Sequence, residues 1–476
     1  MSFGQAVRGA ALFLMLGSAL EPAAAPASDW PRFRGPNGSG VSPDTAPAAV
    51  TWSPDENIRF KVPLAGAGVS SPIIVGDRIF VTSYSGYGLN RRDPGDQADL
   101  KRHLQCIDRK SGKVLWEKTV QAVLPEDPFA GPGVPEHGYA SHTPVSDGER
   151  VFAFFGKSGV YAYDLAGKEL WHTSVGKGSD PRRWGSSSSP ILYDKTVIVP
   201  AGPESGAIVG LDASTGKELW RAEADSLGNT WGTPVTVPID GERTDIVIGT
   251  PDEIWGINPA NGKLKWFCSA IATDQFNSSV VANDGIVYAI EGRGGGSIAV
   301  KAGGTDDISK TNVIWNGRDS SRFGTPLIYE GRIYYFNGGI ANCIDAKTGE
   351  RIFQARLRGG RSTPMAEGPG DAPPRGGPGG RPPGGAGGGG GRPGRGGGRG
   401  GFGGSDYSSA VAADGKIYYT TRNGETHVLK AGTEFEELAA NRVTDDAEEF
   451  SATPALSNGE LFLRSNKHLY CVAPKE

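Results

Sequence analysis

Short apolar runs alternate with polar residues along almost the whole chain, with the two-residue period of half-buried strands. In one clear run, Ile333, Tyr335 and Asn337 point one way while Tyr334 and Phe336 point the other. Asp-Gly and Asn-Gly turns such as Asp147-Gly148, Asn283…Gly285 and Asn458-Gly459 separate neighbouring runs, as hairpins require. No stretch sustains an apolar period of 3.6 residues, so the pattern predicts strands and little helix.

The runs belong to a larger repeat. It consists of two small residues and a proline, an apolar strand, a turn, a second strand, a small-apolar-Asp step, another turn, and Gly-x-x-x-Trp. The clearest copy runs from Ser188-Ser189-Pro190 through Gly210-Leu211-Asp212 to Gly216-Lys217-Glu218-Leu219-Trp220. Copies open at Ser71-Pro72, Thr143-Pro144, Ser189-Pro190, Thr233-Pro234, Ser279-Val280, Thr325-Pro326, Ser409-Ala410 and Thr453-Pro454, which makes eight. From Pro144 to Pro326 successive copies lie 46, 44, 46 and 46 residues apart. A period of ~40–50 residues with four short strands per unit predicts the blades of a β-propeller.

The fourth strands settle the closure. They are expected to end at Trp116, Trp171, Trp220, Trp266, Trp315 and Phe353, with a degenerate copy near Phe435–Leu438. The eighth copy reaches Tyr470-Cys471-Val472 and stops before a fourth strand. The segment from Glu56 to Val62 carries the missing pattern near the start of the chain. The expected fold is therefore all-β: an eight-bladed propeller of four-stranded antiparallel blades, in which an N-terminal strand closes the last blade and buries its open edge.

The pattern small-x-Asp-x-x-Thr-Gly-x-x-x-Trp occurs as Gly210-Leu211-Asp212-Ala213-Ser214-Thr215-Gly216 before Trp220, and again as Cys343-Ile344-Asp345-Ala346-Lys347-Thr348-Gly349 before Phe353. In these residues the chain resembles the PQQ-repeat family, which includes quinoprotein alcohol dehydrogenases and the outer-membrane assembly protein BamB. The segment Asp29-Trp30-Pro31-Arg32-Phe33-Arg34-Gly35-Pro36 resembles the opening of exported members. The resemblance implies a structural role for Trp116, Trp171, Trp220, Trp266 and Trp315, each packed between blades. Glycine allows the turn beside each of them, and aspartate accepts turn amides. A fold shared by enzymes and scaffolds does not choose between them.

The funnel is expected to be lined by residues that precede each first strand: Ser70, Ser141, His142, Trp184, Gly185, Trp231, Asn277, Phe323 and Ser408. Arg183, Trp184, Trp231, Asn277 and Arg322 are the candidate ligand-binding residues, because they could frame a flat or anionic molecule. Asp274 and Glu449 are nearby polar candidates. In quinoprotein dehydrogenases the resemblance implies PQQ stacked against a disulfide of adjacent cysteines, calcium held by hard oxygen ligands, and an aspartate base. No adjacent cysteine pair and no spacing that marks a calcium site occur here. No catalytic residue is assigned and no metal or cofactor is expected, with PQQ and calcium reserved for the dehydrogenase reading.

Cys106, Cys343 and Cys471 share one repeat position, filled elsewhere by Ala162, Gly210 and Gly256. Sheets pack ~10 Å apart, farther than a disulfide spans, so free buried thiols are expected there. The six histidines, His103, His137, His142, His172, His427 and His468, match no zinc spacing and read as solvated loop residues. A formal net charge of −4 gives no reason to expect a nucleic-acid partner.

Arg8, the apolar run from Ala10 to Leu20 and the small residues Ala23–Ala27 read as a signal peptide over 1–27, leaving a mature propeller over 28–476. No cysteine follows for lipid attachment, and no later segment is apolar enough to span a bilayer. A Gly/Arg/Pro-rich insert over 366–405, with Arg375, Arg381, Arg392, Arg395 and Arg399, interrupts the propeller and is expected to be disordered. The combined expectation is a periplasmic or secreted monomer: a non-catalytic binding or scaffold protein of the cell envelope with a protein partner. A PQQ-dependent dehydrogenase and a small-molecule or glycan binder that uses the funnel are the alternatives.

Overall fold

Alternating residues form strands, and the strands assemble four at a time around a central axis. The computed structural model describes residue 1 and residues 28–241, 243–292, 295–358 and 405–473. The expected signal peptide, residues 2–27, and most of the Gly/Arg/Pro-rich insert lie outside the described residues.

Eight antiparallel sheets succeed one another. Blade 1 contains Ile73–Val75, Arg78–Ser85, Lys101–Asp108 and Val114–Gln121; blade 2, Val145–Ser146, Arg150–Phe154, Val160–Asp164 and Glu169–Thr173. Blade 3 contains Ile191–Tyr193, Thr196–Ala201, Ala207–Asp212 and Glu218–Glu223; blade 4, Val235–Asp240, Arg243–Thr250, Glu253–Ile257 and Leu264–Ser269. Blade 5 contains Val281–Asn283, Ile286–Glu291, Gly296–Lys301 and Val313–Gly317; blade 6, Leu327–Tyr329, Arg332–Asn337, Ile340–Asp345 and Arg351–Arg356. Blade 7 contains Val411–Ala413, Lys416–Thr420, Thr426–Lys430 and Glu437–Asn441. Blade 8 takes Ala455–Ser457, Glu460–Arg464 and His468–Val472 from the end of the chain and Ile58–Pro63 from its beginning. In that closing pair Phe60 stands opposite Cys471 and Val62 opposite Leu469.

There is no single central core. Apolar side chains gather between the faces of neighbouring blades, and the alternation decides which interface each one joins. Ile333 and Tyr335 pack toward blade 5, whereas Tyr334 and Phe336 pack toward blade 7.

The repeat tryptophans do not end the fourth strands. Each lies near the start of its strand, beside a register shift, as at Gly210/Leu211 opposite Trp220. The extra residue swings the indole sideways over the next blade. There Nε1 donates to a turn carbonyl: Trp116 to Leu165, Trp171 to Ala213, Trp220 to Pro259 and Trp315 to Ala346, at 2.9–3.1 Å. The turn under each ring is glycine, because a Cβ at Gly216 would stand 2.5 Å from the Trp171 ring. A small residue must also stand opposite the indole, since a Cβ at Gly210 would lie 2.3 Å from Trp220. Trp266 departs from the pattern. Its outer edge is covered by a fifth, parallel strand, Asp306–Asp307, and its Nε1 turns back to Asp245 of its own blade at 2.8 Å. Phe60 of the closing strand fills the tryptophan slot of blade 8 and lies over Gly112 of blade 1.

At the axis the blades are stitched by hydroxyls. The amide of each first-strand Ser or Thr donates to the hydroxyl of the next. The sequence runs Ser71→Thr143→Ser189→Thr233→Ser279→Thr325→Ser409→Thr453, with distances of 2.9–3.1 Å. The eighth link is missing: Ser71 Oγ is buried without a partner. Other contacts span that seam. Arg464 of blade 8 donates to Ser70 at 2.6 Å, and Glu460 receives Arg109 of blade 1 at 2.6 Å and also Arg59.

The segment ahead of the closing strand is a strap across one end of the channel. Trp30 bridges to Ile74, Pro31 accepts from Ser146, and Arg32 donates to Pro234. Arg34, 1% exposed, donates to Thr325, Pro326 and Ala410 at 2.8–3.3 Å. These partners lie at or just after the hydroxyl ring in each blade, so the strap covers that side of it.

Phe60→Ala is expected to cost about 2 kcal/mol, because it empties the slot that docks the last blade on the first. Urea unfolding would show it as a lower midpoint. An unchanged midpoint would mean that the closing strand holds through its backbone alone.

Candidate functional site

Two to five residues before the hydroxyl ring the chain carries bulky side chains on only some blades, and these form a mouth on the side opposite the strap. The channel between is a cavity of ≈ 160 Å³. Its walls are the ring hydroxyls, its floor includes Phe33 of the strap, and its mouth bears Trp184, Trp231, Phe323 and Tyr407.

The four aromatics form two pairs on opposite sides. Trp184 and Trp231, from blades 3 and 4, stand 5.7 Å apart with planes tilted by 37°. Phe323 and Tyr407, entering blades 6 and 7, stack at 4.4 Å. Arginines flank them: Arg182 lies 5.4 Å from the Trp184 ring, Arg322 5.3 Å from Phe323, and Arg422 5.5 Å from Tyr407.

Trp184 is placed by its backbone. Asp180 accepts from the amides of Arg182, Trp184 and Gly185 at 2.7–3.0 Å. Burial pushes its carboxyl above the usual range despite those donors. His137 Nε2 donates to the Trp184 carbonyl at 2.7 Å, which leaves Nδ1 to accept from Ser141 Oγ. Trp231 is locked from below, with Nε1 donating to the Gly185 carbonyl at 2.8 Å.

Three acidic groups around the mouth are held by arginine. Glu136 receives Arg422 at 2.8 Å and also Arg91, Glu449 receives Arg422 at 2.9 Å, and Asp274 receives Arg182 at 2.9 Å. Burial pushes the Glu136 carboxyl up, but Arg422 and Arg91 outweigh it and hold it below the usual range. Among the described residues no group of three or more His, Cys, Asp or Glu could hold a metal ion.

The expected residues fall in different places. Trp184, Trp231, Asn277, Phe323 and Ser141 line the cavity. Asn277 lies beside Glu291, which accepts its amide at 2.9 Å. Arg322 is exposed against Phe323, and Arg183 is exposed in a left-handed turn (φ 55°), outside the lining. Ser70, His142, Gly185 and Ser408 do not line the funnel. The chain alternates here, so the next residue, such as Ser71 or Ser409, faces the axis instead. Tyr407, Glu136, His137 and Phe33 were not foreseen. Tyr407 follows the low-complexity insert, Glu136 and His137 lie in a loop inserted between blades 1 and 2, and Phe33 belongs to the strap. Of these only Tyr407 sits at a repeat position, two residues before Ser409 as Trp231 stands before Thr233, so the repeat could have found it.

His103, His142 and His427 are buried rather than solvated, whereas His172 is exposed on a strand. His142, 4% exposed, contacts Ser186 Oγ through Nε2 at 2.8 Å, and His427 is fully buried against Glu437. All four cysteines are buried and free. Burial pushes Cys106, Cys343 and Cys471 up to about 12 and Cys268 up to about 11.

A family profile described as outer membrane protein assembly factor BamB matches residues 25–230 and 100–355. The polyvinylalcohol dehydrogenase of Sphingopyxis sp. (strain 113P3) is 24% identical over 265 residues, 47% of this chain and 36% of that protein. The polyvinylalcohol dehydrogenase of a Pseudomonas sp is 22% identical over 290 residues, 52% of this chain and 39% of that protein. The chain thus spans little more than a third of the curated relatives it matches. Among solved structures, BamB from Moraxella catarrhalis superposes with a TM-score of 0.50 at 14% identity, covering 88% of this chain and 97% of that one. A europium-containing methanol dehydrogenase superposes with a TM-score of 0.59 at 12% identity, covering 92% and 90%. At these identities the likeness to the solved structures is one of fold.

Burial, with Arg102 and His137 nearby, pushes His142 down to about 3. The folded protein keeps it neutral while the unfolded chain protonates it below about 6.5. Stability is therefore expected to fall as pH drops from about 6.5 toward 3, by on the order of 4 kcal/mol. His142→Gln should flatten that limb in thermal unfolding across this range; an unaltered limb would contradict the assignment.

Proposed function

The chain belongs to the PQQ-repeat β-propeller family of the BamB type, and from that premise we propose that it is an exported, non-catalytic binding protein. In this reading the aromatic mouth of its funnel receives a protein partner in the cell envelope. The observation that carries the reading is the state of the mouth's acids. Glu136, Glu449 and Asp274 are each engaged by an arginine, so the mouth offers aromatic faces and hydroxyls rather than open carboxylates. A calcium ion draws on several hard oxygen ligands, and these carboxylates would have to leave their guanidinium partners to supply them. The four cysteines stand in blades 1, 4, 6 and 8, so none can form an adjacent-residue disulfide. The donor set does not fit a calcium-held quinone.

The BamB relationship supports a partner-binding role. A ring-sized ligand is the second reading. It is favoured by the cavity of ≈ 160 Å³, close to the ~150 Å³ that admits benzene, and by the tilted Trp184–Trp231 pair above it.

The test is capture from the native envelope with the intact protein as bait. Trp184→Ala combined with Phe323→Ala, checked for folding by circular dichroism, is expected to weaken partner retention by about tenfold or more, in line with loss of aromatic anchors. Retention equal to the wild type would remove the mouth from the interface. Alcohol-dependent dye reduction after reconstitution with PQQ and calcium would overturn the non-catalytic reading itself.

A further inference from the structure

A second, smaller chamber lies behind the funnel wall on the side of blades 1 to 3. The wall is one residue thick. In Gly133-Val134, His137-Gly138, Ser141-His142 and Trp184-Gly185 the first residue lines the funnel and the second lines the chamber. At Ser186-Ser187 the order reverses. Two imidazoles stitch the wall's two segments together, His137 to the Trp184 carbonyl and His142 to Ser186.

The chamber has a volume of ≈ 20 Å³, room for about one water molecule. Arg102, Glu126, Asp127, Tyr139, His142 and Lys157 face Glu204 across it. The cations are already engaged. Arg102 donates to Glu126 at 2.6 Å, and Lys157 donates to Ser179 and the Pro125 carbonyl with Asp127 at 3.6 Å. Among the described residues no cation pairs with Glu204, which is 5% exposed. Its Oε1 accepts from Ser186 Oγ, and its Oε2 is buried without a partner. His142 Nδ1 is likewise buried without a partner. Gly156 keeps the space open, because a Cβ there would lie 3.2 Å from Glu204 Oε1.

The hydrogens can be assigned. Ser186 gives its single hydroxyl hydrogen to Glu204, so His142 must donate from Nε2 to Ser186 Oγ, which leaves Nδ1 a bare acceptor. Two unpaired polar atoms and one water-sized space complete each other. We infer that this chamber is a one-water protonation site, in which Glu204 and His142 share a buried water, and that it is coupled to the funnel through their common wall. A proton taken from solvent goes to Glu204 Oε2, which then donates to the water, and the water donates to His142 Nδ1. When that proton leaves, the water donates to both atoms.

Burial raises the Glu204 carboxyl to about 7, against the opposing pull of Ser186. Ser186 is the side-chain donor that steadies the ionised form, beside the Glu204 amide itself, and it is joined to Trp184 through Gly185. An occupant that displaces Trp184 therefore moves Ser186 and changes the proton affinity of Glu204. By linkage, the same free energy makes occupancy depend on pH.

The coupling rests on the funnel being the working site; the titration does not, because it is measured in the full-length protein without ligand. Infrared difference spectra between about pH 5.5 and 8.5 should show a protonated carboxyl band titrating near the raised value. Glu204→Gln should abolish it. Ser186→Ala, a smaller change that serves if the first variant misfolds, should move its midpoint up by about half a unit or more. A band that survives Glu204→Gln, or no band in the wild type, overturns the site. Trp184→Ala should shift the midpoint by a similar amount, whereas Phe323→Ala, across the funnel, should not. Equal behaviour of those two variants overturns the coupling and leaves the partner-capture experiment unaffected.

Discussion

A buried backbone amide must find an acceptor, and at the axis of this propeller the acceptor belongs to the next blade. Seven Ser or Thr hydroxyls meet that requirement in turn, at nearly equal distances. The ring fixes how closely the first strands approach and so the width of the channel they enclose. At the seam between blade 8 and blade 1 the link is absent, and the chain compensates there with charge and connectivity. Arg464 reaches Ser70, Glu460 gathers Arg59 and Arg109, and a strand from the beginning of the chain completes the last blade.

The perimeter repeats the logic with indoles instead of hydroxyls. Trp116, Trp171, Trp220 and Trp315 each donate to a turn of the following blade and lie over its glycine, and Phe60 makes the corresponding contact across the seam. Inner and outer contacts together hold each blade by two faces, leaving the loops at the mouth free to vary. The strap then covers one end of the channel, with buried Arg32 and Arg34 spending their donors on carbonyls rather than carboxylates. Burial lowers Arg32 to about 10 and Arg34 to about 9. The funnel thus has one covered end and an aromatic mouth at the other.

Blade number, closing strand and docking residues were legible because the repeat states them eight times, and alternation assigns each side chain to an interface. The position of the tryptophans within their strands was not legible, since the register shift beside them reflects packing on the next blade. Part of the expected lining was displaced by one residue for a related reason: Ser70 and Ser408 precede the residues that turn toward the axis. The strap lay beyond pattern reading because its path depends on a run of left-handed residues, Arg34, Gly35, Asn37, Gly38 and Gly40, rather than on periodicity. Ser186 looked like one more blade-start serine. Its link to His142 and Glu204 arises from contacts between blades 2 and 3 that no local motif encodes.

The ring carries its own control, and stability measurements on two serine variants test it most directly. Ser279 Oγ accepts the Thr233 amide at 2.9 Å, whereas Ser71 Oγ accepts nothing. Ser279→Ala should lower the free energy of unfolding in urea by about 1–2 kcal/mol, because it strands a buried amide. Ser71→Ala should leave it within about 0.5 kcal/mol of the wild type. Equal losses at the two positions would contradict the hydroxyl ring as the constraint that registers the blades.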